Sequence, residues 1–175
     1  SEQKNYIMEP TKKAARIAGA LYLILIISGM FSLIYVPSEL LDWDDASKTV
    51  ENISESQLLW KLGIISNLIC FTCFIFLPLA LYRLLAPVNG NLAILMVILA
   101  VVSVPISYLN VANYIDIVSI INNEEYLNFF TQEQLNFEVM SLLESYSNGN
   151  KVVYIFWGLW LFPFGYLVYK SGFLP

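Results

Sequence analysis

The sequence predicts an all-α, polytopic transmembrane helical bundle with four spans, with short amphipathic helices in its two outer segments. Three observations predict it. Hydrophobic residues make up 58% of the 175 and charged residues 13%, where a soluble domain carries ~25% charge. Four apolar stretches run for 18 residues or more, and a helix needs ~20 residues at ~1.5 Å each to cross ~30 Å of hydrocarbon. A chain of this length is too short to bury four such helices in a soluble core. Helices are expected because backbone groups in lipid must be satisfied internally. Residues 1–175 read as one integral-membrane domain.

The first span is expected at about 14–36, where Ile17 to Val36 holds no charged residue. Its apolar run exceeds the ~7–15 residues of a signal-peptide core, so it reads as a retained span. An acidic outer segment follows. A short helix is expected from about Ala46, capped by Asp44 or Asp45, and Ser54-Glu55-Ser56-Gln57 reads as a capping box opening the second span at about 57–83. Leu84 to Asn91, with Pro87 and Asn89-Gly90, predicts a tight turn, making spans two and three antiparallel neighbours. The third span is expected at about 91–121. Beyond it, Thr131-Gln132-Glu133-Gln134 reads as a second capping box. It opens an amphipathic helix with Leu135, Val139, Leu142, Leu143 and Tyr146 on one stripe. Asn148-Gly149-Asn150 reads as its end, and the fourth span occupies about 151–170. That amphipathic helix reads as a surface connector or as a lid over an outward-facing cavity. Its polar face carries acids where lipid-binding interfacial helices carry Lys and Arg, which favours packing on the bundle.

Charge sets an expected orientation. Lys4, Lys12, Lys13, Arg16, Arg83 and Lys170 fall on one side of an alternating bundle, and Lys48, Lys61 and Lys151 on the other. The positive-inside rule then places the N-terminus in the cytoplasm. Acids collect at the opposite end, from Glu39 to Glu55 and from Glu124 to Glu144. The net charge of −5 argues against a nucleic-acid partner.

Chemistry-bearing residues are sparse. The chain has no His, which removes His-based acid–base catalysis and His metal ligands. No phosphate loop or dinucleotide signature occurs, and neither a cofactor nor a metal is expected. The strongest candidates stand on the third span, where Ser103, Ser107, Asn110 and Asn113 recur at helical spacing and Asp116 follows one turn later. Such groups in lipid face the bundle or a wet cavity, and they serve equally as inter-helix hydrogen bonders. On the second span Asn67, Cys70 and Cys73 share a face. Cys-x-x-Cys suggests redox chemistry, but Cys70 lies ~18 Å from the span's outer start, far from any cation that would favour a thiolate. Packing as small apolar residues fits better. Pro78, Pro105 and Pro163 predict kinks.

Three stretches taken together, Ala15-Arg16-Ile17-Ala18-Gly19, Tyr82-Arg83-Leu84-Leu85-Ala86-Pro87-Val88-Asn89 and Tyr169-Lys170-Ser171-Gly172-Phe173-Leu174-Pro175, carry a resemblance. From about Lys12 to Pro175 the chain resembles the bacterial integral-membrane family catalogued as domain of unknown function family 4386. The resemblance implies a multi-pass protein of the bacterial plasma membrane and no particular activity. It also implies that relatives continue into further membrane helix beyond Pro175, so that this chain lacks their C-terminal helices. Their second and third spans carry more charge than Asn67, Phe71 and Val111 offer here, which weakens a proton-relay reading.

The expected function is non-enzymatic binding of a small amphiphilic ligand, or of a partner membrane protein or second copy, in an outward-opening cleft. Asn67, Ser107, Asn110 and Asn113 would supply hydrogen bonds and Asp116 a charge at the mouth. The alternatives are a small transporter or channel component, and an intramembrane redox enzyme using Cys70 and Cys73.

Overall fold

The structure is a computed structural model that describes residues 2–172, with side chains from residue 12 onward except those of residues 125 and 127. The last word of the family resemblance, Phe173-Leu174-Pro175, lies outside the described residues. The described chain is helical apart from short connections. α1 (Glu2–Met30) passes through a π-turn (Phe31–Tyr35) into α2 (Val36–Leu40), and α3 (Ala46–Glu55), α4 (Gln57–Leu85) and α5 (Gly90–Asn122) follow. α6 (Glu124–Phe129), α7 (Gln132–Leu159) and α8 (Leu161–Ser171) complete it. Four helical runs are long and apolar enough to cross a membrane: Lys12–Leu40, Gln57–Leu85, Gly90–Asn122 and Gln132–Ser171.

The first of these outruns its expected end at residue 36 because the chain absorbs Pro37 without leaving the helix. Pro has no N–H and its ring clashes with the carbonyl four residues back. The preceding turn widens to a π-turn, with the Val36 N–H donating to the Phe31 carbonyl, the usual form of a single-turn π-bulge. Val36 and Leu40 are thereby turned into the core. Gly63 on α4 makes room for this, since a Cβ there would stand 3.0 Å from Val36 Cγ1.

α3 begins as expected, with the Asp45 carboxylate accepting the Lys48 N–H at 3.0 Å. Thr49 exchanges two hydrogen bonds of 2.8 Å with the backbone of Asp42, closing the acidic segment on itself. Lys48 pairs with Asp42 at 3.0 Å, and that hydrogen bond holds the Asp42 carboxyl below its ordinary value. The expected box at Ser54–Gln57 does not form. α3 runs to Glu55, and Ser56 alone separates it from α4 with no side-chain cap. The Ser56 backbone carbonyl accepts the first helical bond of α4, from Trp60 at 3.1 Å.

The box at Thr131 does form. Thr131 Oγ1 accepts the Gln134 N–H and Gln134 Oε1 accepts the Thr131 N–H. Thr131→Ala is expected to remove about 1 kcal/mol of local stability and to speed amide exchange at Gln134 about fivefold. Unchanged exchange there would show that the box does not hold the helix start.

The helix that begins at Thr131 does not end at Asn148-Gly149-Asn150. α7 runs through all three residues to Leu159. Asn150 is buried and hydrogen-bonded to α5, and Gly149 lies directly against the Asn110 side chain. Asn-Gly-Asn therefore marks a helix–helix crossing. The break falls at Trp160, three residues before Pro163, whose missing N–H and ring disfavour a helical bond to Leu159. Pro78 and Pro105 lie inside unbroken helices.

Each long helix packs most closely on the next: α1 leans on α4, α4 on α5, and α5 on α7. α8 returns to pack on α5 and α4, and α3 seats against α7. The core runs between these helices, with Trp60, Phe71, Leu77, Met96, Ile117 and Leu143 almost fully enclosed.

Candidate functional site

The polar residues singled out in the sequence fall into an ordered series of burial. Asn67, Ser103 and Ser107 are sealed, and Asn110 is 7% exposed. Asn113 is half-buried and Asp116 is exposed. The helix explains the drift, because steps of three residues fall ~60° short of a full turn on a 3.6-residue helix.

Two of the five meet a neighbouring helix through hydrogen bonds. Asn110 Nδ2 donates to the Tyr146 carbonyl at 2.8 Å and to Asn150 Oδ1 at 3.0 Å. Asn67 Nδ2 donates to the Tyr146 hydroxyl at 2.5 Å. Asn113 Nδ2 turns back to Asn110, reaching its carbonyl at 3.0 Å. Ser107 donates to the Ser103 carbonyl at 2.9 Å, within its own helix. Aromatic rings extend the belt. Tyr146 stacks on Tyr114 with centroids 3.8 Å apart, and Tyr114 lies 4.4 Å from Trp60. Trp60 Nε1 donates to the Tyr114 carbonyl at 3.2 Å. α4, α5 and α7 are thus bound by one polar–aromatic belt.

Sequence reasoning did not pick out Asn150, and it took Tyr146 only as an apolar stripe position. The signal was present. Leu135, Val139, Leu143, Tyr146, Asn150, Val153, Trp157 and Trp160 keep three- and four-residue steps across the Asn-Gly-Asn word.

Among the described residues, none of the five candidates lines any of three clefts on the surface. One of them, between Ile120, Ile121, Leu135 and Val139, holds about 100 Å³, below the ~300 Å³ where ligand sites begin. A larger cleft of about 470 Å³ opens between α1 and α7 and is floored by α4. Leu25, Ile26, Met30 and Ile34 form one wall, Tyr154, Trp157 and Trp160 the other, and Cys70, Phe71 and Phe74 the floor. Its rim residues Met30, Ile34 and Tyr154 are about half exposed or more and belong to apolar spans. The surface is largely apolar, and Trp157 Nε1 in its wall is shielded and has no hydrogen-bond acceptor. Cys70 and Cys73 are free and buried, and the Cys70 thiol points to the Leu25 carbonyl at 3.7 Å. Gly29 lets α1 approach there, since a Cβ would sit 3.3 Å from Cys70 Sγ. Among the described residues no cluster of His, Cys, Asp and Glu could hold a metal.

Fold and site together define an all-helical protein with four membrane-length apolar helices, a polar–aromatic belt among three of them and an apolar cleft beside the belt. The chain belongs to the family described as Domain of unknown function (DUF4386), whose sequence model matches residues 17–175. No curated protein and no solved structure matches it.

Proposed function

We propose that this is a non-catalytic, multi-pass protein of a bacterial plasma membrane, N-terminus cytoplasmic, that holds the acyl part of an amphiphile in the cleft between α1 and α7. The observation that carries this reading is that cleft with its one unsatisfied donor. An N–H shielded from water and unpaired costs ~1–3 kcal/mol. The hydrocarbon of a bound chain would cover Phe71 and Phe74, and its ester or amide carbonyl would satisfy Trp157 Nε1 once the indole turns that shielded N–H toward the cleft. About 470 Å³ lies within the ~300–1,000 Å³ usual for ligand sites. The polar stripe is better placed as the belt that fixes α4, α5 and α7, because the amide N–H groups of Asn67 and Asn110 bond to the protein itself, although the Asn67 carbonyl oxygen is buried without a partner.

Native mass spectrometry of the protein, released gently from membranes, tests the reading. The wild type is expected to retain a lipid-sized adduct. Ile26→Trp, which fills the cleft from α1, is expected to lose it. Trp157→Phe is expected to keep it but to bind ester and ether lipids alike. A bare wild type, or an Ile26→Trp variant with the adduct intact, would remove the cleft from consideration.

A further inference from the structure

A second cavity, of about 540 Å³, lies at the elbow between α6 and α7, walled by Tyr126, Phe130, Phe137, Glu133 and Glu138. The Tyr126 and Phe130 rings are nearly parallel, 17° apart in plane with centroids 5.5 Å apart. Phe130 is 46% exposed and Phe137 73%, more aromatic surface than a solvated turn needs. Glu133 and Glu138 form no ion pair with any described residue. Aromatic rings and unpaired carboxylates around one hollow favour a cation there: the carboxylates supply the net charge, and any ring face turned to the hollow adds its quadrupole.

We propose that this elbow binds an alkylated ammonium group, such as the quaternary head of choline. A small, strongly hydrated metal ion would need more oxygen ligands than two carboxylates. A quaternary ammonium sheds water readily and gains from ring faces, the arrangement of an aromatic cage. The positive N-terminal end of α7 opposes a cation in the first turn. Glu133 stands in that turn and offsets it, while Phe137 and Glu138 lie beyond it. The Thr131–Gln134 box fixes the elbow before any ligand arrives, which limits the ordering cost of binding.

The test uses the full chain in nanodiscs of phosphatidylglycerol and phosphatidylethanolamine, which carry no quaternary ammonium. Choline and its neutral isostere 3,3-dimethylbutan-1-ol are titrated and followed by saturation-transfer NMR. Saturable choline binding is expected, about tenfold tighter than the isostere. The Glu133→Gln/Glu138→Gln pair and Phe130→Ala are each expected to weaken it about tenfold. These residues are solvent-facing, and unchanged circular dichroism checks that the variants remain folded. Equal binding of the isostere, absence of choline binding, or indifference to both variants would overturn the proposal. Phosphatidylcholine discs then separate the sources. Loss of choline binding there assigns the site to a lipid headgroup, and retention assigns it to a soluble cation; each supports the ammonium site.

Discussion

Gly149→Ala is expected to destabilise the fold by about 1–2 kcal/mol, although Ala is the better helix former by ~1 kcal/mol. Gly149 lies in the interior of α7 with no turn to make. A Cβ there would overlap the Asn110 carboxamide. That side chain cannot swing aside freely, because it donates to the Tyr146 carbonyl and to Asn150 Oδ1. Either those bonds break, at ~0.6 kcal/mol each by the average for membrane bundles, or α5 and α7 move apart and lose packing. A double-mutant cycle with Asn110→Ala separates this from a local helix effect. Truncating Asn110 clears the overlap, so the pair should lose about 1 kcal/mol less than the sum of the single losses. Unfolding in SDS from mild detergent is the measurement. A neutral or stabilising Gly149→Ala would mean that the two helices do not meet as closely as this.

Trp60→Ala is expected to cost more, about 3–5 kcal/mol. Trp60 is 1% exposed and sits at the acidic end of α4, where it covers Tyr114 and donates to that residue's carbonyl. Tyr114 in turn backs Tyr146, so the loss should spread from α4 to α7. Trp60→Phe keeps most of the ring and removes the donor. It is expected to cost no more than about 2 kcal/mol, since single hydrogen bonds in membrane bundles rarely exceed ~1.7. A Trp60→Ala loss below about 1 kcal/mol would contradict the role of the belt as the fastening between α4 and α5.

Much of this architecture was legible in the residues. The four apolar runs, the Asp45 cap, the Thr131 box and the turn at Asn89-Gly90 all rest on local chemistry, and each is found. The errors occur where a local signal competes with a contact from elsewhere. Ser54-Glu55-Ser56-Gln57 has the letters of a capping box, yet α3 extends to Glu55, so Ser54 is already helical and cannot serve as an N-cap. Asn148-Gly149-Asn150 has the letters of a helix end, yet the facing Asn110 uses two of its positions, a bare Cα at Gly149 and an acceptor at Asn150, together with the Tyr146 carbonyl one turn earlier.

The candidate site divides in the same way. Asn67, Ser107, Asn110 and Asn113 stood out because polar groups are rare in apolar spans, and periodicity placed the last three on one side of the third span. Periodicity could not say whether that side met water, ligand or another helix. Sequence reasoning did not single out Trp157, because an unsatisfied N–H is a property of its surroundings. The elbow of Tyr126, Phe130 and Glu133 joins residues from two helices, and the angle between those helices appears nowhere in the letters.

By itself the sequence determined that the chain is helical, that four helices are of membrane length, and that its charge is divided between two ends. Those properties follow from composition and spacing, which act through solvent and through bonds a few residues apart. Only the tertiary structure decided that the polar stripe faces α4 and α7, that an Asn-Gly-Asn word is a crossing, and that an apolar cleft remains between α1 and α7. Those depend on which helix stands next to which, and inside an apolar medium that choice is made by close packing and a few directed hydrogen bonds between residues far apart in the chain.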